Sequence, residues 1–497
     1  MRIFQTITLL SVFLSSGLYA SKGGDDFAMA KLSLESCLER LLDSNLEIKA
    51  GVISSQLREN DVLIAGEKFQ SGMSIKADHS NIKRPSDFIF ETINDIQDEN
   101  SNLNVGLKKL WEVGTLTSLE WNHSRSKTNT ALNKINPGYS DDLKLKVSQP
   151  LFQGLGKRIQ TIDIQKSKYF FKLSQIQQRM TEEAKLLKVS QMYWMLSLAR
   201  ENLKPLKSEL KLSKNRTKLY EALLAQGKIT QLDLEESKKN QKLAQTNLIE
   251  AENEVQFINQ QLVAEIFPAI ASDVKKFWVL PTTKFSSNLV DKISTLGDLK
   301  IKAYYNRLEL KKEAIQLAIA ELDILKAENK KKSNTSLFGA LGVKGLSDKP
   351  SKAIQRTHTG KYPNWELGIQ LSFYIDPISR NAQWENAILQ KENIELIQET
   401  IKTKISIELV KSLSQLKNAK FKSEDISIEL DLAHKKLKKI DDEVKLGKST
   451  TLRQLEKQVQ IEWLKFQKSQ LLVQQWMSGA QLLSAQGLLF KELISKK

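Results

Sequence analysis

The chain has 497 residues and a formal net charge of +17, with 40% hydrophobic residues but only 21 glycines and 9 prolines. A composition rich in Lys, Glu, Leu, Gln and Ser and poor in helix breakers predicts a mostly helical protein. The lysines are spread along the chain among glutamates, which indicates solvated helix faces and speaks against a nucleic-acid partner. The single cysteine, Cys37, excludes an intrachain disulfide, and four scattered histidines argue against a Cys/His metal site.

Residues 1–20 have the pattern of an export signal. Arg2 supplies a positive start, Ile7–Leu14 an apolar segment, and Gly17–Ala20 a plausible cleavage site. The apolar segment is too short for a membrane-spanning helix, and no later run reaches about eighteen apolar residues. The sequence therefore predicts an exported protein without helical spans. Short barrel strands stay compatible with it, because each is a weak sequence signal.

The first structural repeat is predicted over residues 21–268. It begins with an amphipathic helix over 33–66, and period-two alternation then indicates strands within about 70–152. The alternating segments are Gly72–Asp78, Leu103–Leu110, Thr115–Trp121 and Leu143–Leu151. Residues 122–140 are polar and are predicted to form a loop.

A long helical hairpin is predicted next, over about 158–266. Its first helix spans roughly 100 Å at 1.5 Å per residue, and Pro205 is expected to kink or divide it. The turn is Gly227-Lys228-Ile229-Thr230. Apolar residues alternate at spacings of four and three on both sides of the turn, which is the seam of a coiled coil. These seam residues are Met192, Leu196, Ala199, Leu203, Leu206 and Leu210, and then Ala244, Leu248, Ala251, Val255, Ile258 and Leu262.

Residues 296–497 repeat the same plan after a linker over 269–295. Leu308–Lys311 corresponds to Leu46–Lys49 in the first helix. Strands are predicted within about 336–375, and a second hairpin over about 379–490 turns at Gly447-Lys448-Ser449-Thr450. Each half is thus helix, strands, long helix, turn and helix.

This duplicated plan leaves two physical problems within a single chain. A sheet of about four strands has two unpaired edges, and isolated long hairpins cannot bury their seams. Both problems disappear if several copies close into a ring, with strands forming a barrel and helices forming a tube. The residues therefore predict a homo-oligomeric duct.

In this arrangement the chain resembles the TolC-type outer-membrane efflux family. The resemblance rests on Asn45-Leu46-Glu47 and its copy at Asn306–Glu309, on the junction Gln149-Pro150-Leu151-Phe152-x-Gly154, and on both Gly-x-x-Thr turns. It covers essentially the whole mature chain. It implies a mostly α fold with a membrane β-barrel: a homotrimer with a twelve-stranded barrel in the outer membrane of a Gram-negative bacterium and a helical tunnel in the periplasm.

The resemblance also implies the function and the partners. The duct exports substrates from periplasm or cytoplasm, within a tripartite efflux pump or a type I secretion system. Its partners are outer-membrane lipid, a periplasmic adaptor (membrane fusion) protein and an inner-membrane transporter of the RND, ABC or MFS type. Substrates pass without chemical change, so the family implies no enzyme activity and no cofactor.

Site residues follow from the family by position. The hairpin tips would close the tunnel entrance and dock the adaptor, through Gly227, Lys228, Thr230, Leu232, Gly447, Lys448, Thr450 and Leu452. The acidic residues Asp233, Glu236 and Glu456 would ring the periplasmic entrance and favour cations. The alternative is that they are ordinary surface acids of a lysine-rich helix.

Two features depart from the family pattern. Val444, Ser449 and Arg453 replace family residues that latch the closed state, so we expect this chain to close with other bonds. The strand-like segment at about 103–124, with Trp111 and Trp121 around Gly114, is outside the minimal pattern. We expect it to form an extended loop or part of the barrel rim.

Other chemistries and functions were weighed. Gly447-Lys448-Ser449-Thr450 resembles the end of a phosphate-binding loop, but Asp442 stands where the first glycine is required and a helix precedes it. A periplasmic coiled-coil adaptor or scaffold without a pore is the alternative function, although it would carry its hairpin once. A third possibility is a surface adhesin or secreted toxin. The sequence identifies neither the substrate nor the transporter class.

Overall fold

The computed structural model describes residues 18–20, 28–85, 95–130, 133–269, 277–285 and 295–494. Most of the predicted export signal and parts of the predicted linker lie outside these residues. The strands are β1 (Leu18–Ala20), β2 (Ala28–Leu32), β3 (Gly72–Pro85), β4 (Asp95–Leu110), β5 (Leu116–Thr128), β6 (Gly138–Pro150), β7 (Phe277–Pro281), β8 (Asn334–Ser347) and β9 (Pro363–Ser372). The helices are α1 (Leu34–Ser44), α2 (Leu46–Gly66), α3 (Lys157–Gln160), α4 (Ile162–Ala225), α5 (Gln231–Ile266), α6 (Leu296–Asn306), α7 (Leu308–Lys331), α8 (Pro350–His358), α9 (Ile378–Lys445), α10 (Thr451–Ala485) and α11 (Leu489–Ile494).

The chain divides into two compact units. The first, a helical unit, comprises residues 1–54, 175–312 and 398–497, and the second, a sheet unit, comprises residues 55–174 and 313–397. In the part of the chain that the structure describes, no helix combines the length and the apolar character needed to cross a bilayer.

The sheet unit contains one antiparallel sheet of six strands in the order β3-β4-β5-β6-β8-β9. The prediction of strands was right, but the strands are longer than expected. Asn122–Thr128 continue β5 and Gly138–Ser140 begin β6, so the loop predicted over 122–140 is confined to its middle. The polar side chains hid this extension, because alternation disappears where both faces of a strand are polar.

The hairpin of β4 and β5 is an integral part of this sheet. Every residue of β4 from Asp98 to Leu110 has a partner on β5, and β4 is paired with β3 along its other edge. The expectation of an extended loop or rim at about 103–124 is therefore wrong. Its tight turn is held next to the junction between β6 and α3, where the Gly156 N–H donates to the Val113 carbonyl at 3.0 Å.

The two faces of the sheet differ in chemistry over the half of the sheet nearest the helices. Odd-numbered residues form an apolar row across the sheet there: Met73, Leu107, Leu119, Leu145, Leu341 and Trp365 are consecutive partners in register. Even-numbered residues face the other side and are mostly polar, with ion pairs such as Lys146–Glu120 at 2.7 Å. Period-two alternation thus crosses all six strands in this half of the sheet.

Helix α8 was not predicted. It packs on the odd-numbered face at the far end of β6 and β8, where the Thr357 hydroxyl donates to the Asp141 carbonyl at 3.2 Å. A Cβ atom at Gly345 would lie 2.1 Å from the Ala353 carbonyl oxygen, so only glycine lets the helix approach.

The helical unit has its main core where β2, β7, α1, α4, α5 and α10 meet. Tyr193 and Trp194 are buried there, and the Trp194 ring lies 5.5 Å from that of Trp476. The Tyr193 hydroxyl donates to the Leu32 carbonyl and accepts the Thr282 N–H, both at 3.0 Å. One phenol thereby fixes both β2 and the end of β7.

Two boundaries of the predicted plan change. The helix expected over 33–66 is interrupted at Asn45, whose side chain accepts the N–H groups of Glu47 and Ile48 and so starts α2. The predicted linker contains β7, which pairs in parallel with β2.

The two helical hairpins, α4 with α5 and α9 with α10, lie where the heptads predicted them. Val255 and Leu262 on α5 are buried, as are Val473 and Trp476 on α10. Pro205 does not divide α4, which runs through it without interruption.

Asn259 attaches α5 to β7 through two hydrogen bonds. Its amide donates to the Phe277 carbonyl and accepts the Val279 N–H, both at 2.8 Å, and the side chain is 1% exposed. Asn259→Ala leaves both backbone groups buried without a partner, which costs about 3 kcal/mol.

This cost can be measured by urea unfolding followed by circular dichroism. The control is Asn253→Ala, an exposed position on the same helix, for which we expect a change of less than about 0.5 kcal/mol. Equal midpoints for the two variants would show that Asn259 does not hold β7.

Candidate functional site at the hairpin tips

Both hairpin tips end their first helix with the same backbone motif. Gly227 has φ +67° and Gly447 has φ +72°, in the left-handed region that favours glycine. At the first tip the Lys228 N–H donates to the Leu223 carbonyl at 2.9 Å. At the second tip the Lys448 N–H donates to the Glu443 carbonyl at 2.8 Å. The two sequence repeats therefore produce one tip geometry twice.

The returning helices begin with threonine caps. The Thr230 hydroxyl accepts the Asp233 N–H at 3.2 Å, and the Thr450 hydroxyl accepts the Arg453 N–H at 3.3 Å. At the first tip the Asp233 carboxylate also accepts the Thr230 N–H at 2.8 Å, which completes a capping box. The Arg453 side chain has no acceptor atom and cannot accept the Thr450 N–H in return. The second tip is therefore capped in one direction only.

The tips expose cationic and apolar side chains together. Lys228 and Lys448 are exposed at their turns. Leu232 is 74% exposed on the first tip, and Leu446 is 69% exposed on the second. Leu452, predicted as a contact residue, is half-buried and so less accessible than Leu232. Leu446 was not among the predicted contact residues. The signal that could have found Leu446 is its place in the sequence, directly before the turn glycine Gly447.

The three predicted acids occupy different environments. Hydrogen bonds from the Thr230 hydroxyl and backbone N–H lower the pKa of Asp233 below its ordinary value. Glu236 is exposed. Glu456 forms an ion pair with Arg216, with 2.7 Å between the carboxylate oxygen and the guanidinium nitrogen. Only Glu456 therefore has its charge offset by a direct cationic partner near the tips.

The pair between Arg216 and Glu456 joins the two hairpins. Arg216 lies on α4, eleven residues before Gly227, and Glu456 lies on α10, nine residues after Gly447. The two tips consequently lie at the same end of the helical unit. Within the second hairpin, the Gln454 amide donates to the Asp441 carboxylate at 2.9 Å.

The residues that depart from the family latch have local roles. Val444 accepts the Gly447 N–H through its carbonyl at 3.0 Å, so its side-chain identity does not matter for the turn. The Ser449 hydroxyl is buried without a hydrogen-bond partner in the described structure. The bond between Arg216 and Glu456 is an ionic link between the hairpins near their tips. The sequence did not predict it, since 240 residues separate its partners.

The described residues contain no group of three or more His, Cys, Asp or Glu side chains placed to hold a metal ion. Cys37 is fully buried in the core of the helical unit, and burial raises the pKa of its thiol to about 12. A buried thiol that stays protonated is a packing residue rather than a nucleophile.

Comparison with known proteins finds one matching family model and several similar solved structures. Residues 112–265 match the family model described as outer membrane efflux protein. No curated protein sequence matches the chain. The fold is that of the CmeC outer membrane channel from Campylobacter jejuni, with TM-score 0.65, 13% identity, and coverage of 92% of this chain and 86% of that one.

Two further channels share the fold. The open MtrE outer membrane channel of Neisseria gonorrhoeae matches with TM-score 0.61 and 13% identity, over 96% of each chain. The outer membrane protein VceC of Vibrio cholerae matches with TM-score 0.58 and 11% identity, over 93% of this chain and 96% of that one. The matched family segment and the shared fold agree with the resemblance to the TolC-type efflux family that the sequence motifs indicated.

Proposed function

We propose that this chain is an outer-membrane efflux duct that works as a homotrimer with a periplasmic adaptor and an inner-membrane transporter. The observation that carries the proposal is the combination of two hairpin tips with the same turn geometry at one end of the helical unit and a sheet unit that has one apolar face. A pore-free adaptor or scaffold is not favoured, because the match to outer-membrane channels extends over more than nine tenths of the chain.

Trimer assembly is supported by an uncovered heptad stripe on α9. Ile407, Ser414, Phe421 and Ile428 follow one another at intervals of seven residues. Ile407, Phe421 and Ile428 are each more than 60% exposed, although this spacing is that of a coiled-coil seam. A second copy of the chain supplies helices of matching length and pattern, so we assign the stripe to contact between copies.

Charge placed on the stripe tests the assembly. Phe421→Glu combined with Ile428→Glu should abolish the trimer, because each carboxylate would be buried in an apolar seam. The readout is the mass of the detergent-extracted protein by native mass spectrometry.

The matched control is Lys422→Glu with Lys436→Glu, which changes more charge at exposed positions on a neighbouring face of the same helix. We expect these substitutions to leave the trimer intact. A trimer that survives the apolar substitutions would assign the stripe to another role.

Adaptor docking is supported by the chemistry of the tips. Each tip presents one lysine and one strongly exposed leucine within a few residues of a rigid turn. A complementary surface has apolar pockets for the leucines and acidic groups for the lysines. We expect Leu232, Leu446, Lys228 and Lys448 to make these contacts.

Gly447→Trp should abolish export while trimers still assemble. Nothing lies within 4 Å of a Cβ atom built at Gly447, so the indole would project into open space where a partner docks. The strain of a side chain at φ +72° is about 1–2 kcal/mol, which is small for helices of this length. Export is measured as drug resistance or secretion, and assembly as the trimer band.

Gly447→Asn is the control, because asparagine tolerates left-handed backbone and adds little bulk. It should retain export. If Gly447→Trp also exports normally, the tip is a turn and not a docking surface.

The acids near the tips are proposed to set the charge of the entrance. Three copies of Asp233 and Glu236 would place negative charge around it, whereas Glu456 is offset by Arg216. Asp233→Asn should therefore reduce the preference for cations more than Glu456→Gln does. The cap bonds favour the ionised form of Asp233, so its charge is fully present above the ordinary pKa of an aspartate and is lost only as the pH falls through its lowered pKa.

Reversal potentials across planar bilayers in a salt gradient measure this preference. Glu252→Gln, an exposed position on α5 farther from the tip, controls for the change in net charge. An unchanged reversal potential in Asp233→Asn would leave that residue only its capping role.

A further inference from the structure

The hairpin of β4 and β5 adds two strands to the four that the family plan requires. In the part of the chain that the structure describes, the sheet unit is a continuous sheet of six strands, with β3 and β9 at its edges. The added hairpin stands either in the membrane wall or outside it. The composition of its two faces distinguishes these positions.

One face of the hairpin has the composition of a lipid-contacting surface. Odd-numbered residues of the hairpin form an apolar patch, and Leu107 and Leu119 at its centre are more than 40% exposed. The patch consists of Leu103, Val105, Leu107, Leu119 and Trp121. It is continuous in register with Met73 and Ile75 on one side and with Leu143 and Leu145 on the other.

The opposite face of the hairpin is polar. It carries Asn102, Asn104 and Lys108 on β4, and Ser118, Glu120 and Asn122 on β5. Glu120 pairs there with Lys146 of the adjacent strand β6. An apolar face on one side and a polar face on the other is the pattern of a barrel wall between lipid and water.

The apolar patch has a limit on each side. On the odd-numbered face Lys109 lies beyond one end, and at the level of Leu103 the His123 ring nitrogen lies 3.0 Å from the Asp141 carboxylate, next to α8. Lys109 and Leu103 are six residues apart on β4, or about 20 Å along the strand. The apolar patch therefore occupies the half of the hairpin nearest the helices.

The connections between strands also differ between the two ends of the sheet. The turn from β4 to β5 is tight and lies against the junction of β6 with α3, at the end where the strands join helices. The connection between β5 and β6 is at the opposite end, as is α8 between β8 and β9. Short turns at the periplasmic end and longer connections at the outer end are the rule for such barrels.

We propose that the β4–β5 hairpin is part of the membrane wall, so that three copies joined through edges β3 and β9 enclose an eighteen-stranded pore. The proposal rests on the proposed trimer. Barrel diameter grows roughly linearly with strand number, so the pore is about 1.5 times as wide as one of twelve strands. The lumen then admits bulkier solutes at the outer membrane than a twelve-stranded duct does.

Cysteine labelling in proteoliposomes tests the position of the hairpin. Leu119→Cys on the apolar face should react with a water-soluble maleimide at least tenfold more slowly than Asn104→Cys on the polar face. Cys37 is fully buried and contributes no background. Equal rates for the two positions would place the hairpin outside the membrane and overturn the proposal.

A deletion tests the pore width. Removing residues 95–136 places β3 beside β6 in antiparallel orientation, with Met73 and Leu145 on the same face, and returns the sheet to four strands. The largest polyethylene glycol that enters from the outer side, read from its effect on conductance, should shrink to about two thirds of the wild-type diameter.

Native mass spectrometry of the wild-type and deletion proteins tests trimer assembly separately from the number of strands in the wall. If the wild-type protein is not a trimer, the proposed function fails. If both proteins are trimers with the same polymer cut-off, the trimer stands and the eighteen-stranded wall is wrong.

Discussion

Alternation of side chains along a β-strand is the constraint on which the sheet unit depends. Because successive residues point to opposite faces, one parity can form a continuous apolar face only if every strand keeps the same register. The row from Met73 through Leu119 to Trp365 shows that six strands keep it. A slip of one residue in any strand would move its leucines to the polar face and its lysines to the apolar face.

The helical unit depends on a different device, a small number of buried polar side chains that satisfy backbone groups of other segments. Tyr193 fixes β2 and the end of β7, and Asn259 fixes the middle of β7. These bonds satisfy backbone N–H and carbonyl groups that pairing between strands leaves without a partner, since β7 has only β2 as a described strand partner. Without these hydrogen bonds, β7 and the residues beside it would be an irregular linker.

The two repeats share a plan but not its chemistry. At the break between the first two helices of each repeat, Asn45 caps α2 with its side-chain oxygen. Arg307 stands at the equivalent position in the second repeat and has no acceptor. Its guanidinium instead forms ion pairs with Glu309 and Glu408, at 2.9 and 3.1 Å. A polar cap in one repeat is an ionic cluster in the other.

Much of the fold could be predicted because long periodic patterns are strong signals. The heptads around Gly227 and Gly447 placed both hairpins within a few residues, and glycine with threonine correctly marked the turns. The lengths of β5 and β6 were missed because Asn122–Thr128 are polar on both faces. The role of the β4–β5 hairpin was missed because pairing on both edges is a property of the assembled sheet.

The candidate site was predicted less completely than the fold. Local spacing identified the turns, and the resemblance to the family supplied Asp233 by position. The bond between Arg216 and Glu456 links different hairpins, and the exposure of Leu446 depends on how the seam packs. Neither can be derived from one segment of sequence alone.

The difference between the two caps has a consequence for motion. The first tip is closed in both directions by Thr230 and Asp233, whereas the second is closed in one direction by Thr450. Local opening of the first turn of α10 therefore requires less free energy than opening of α5, and its amide hydrogens should exchange sooner. The duplicated tips are thus unequal in dynamics, and fraying begins at the second hairpin.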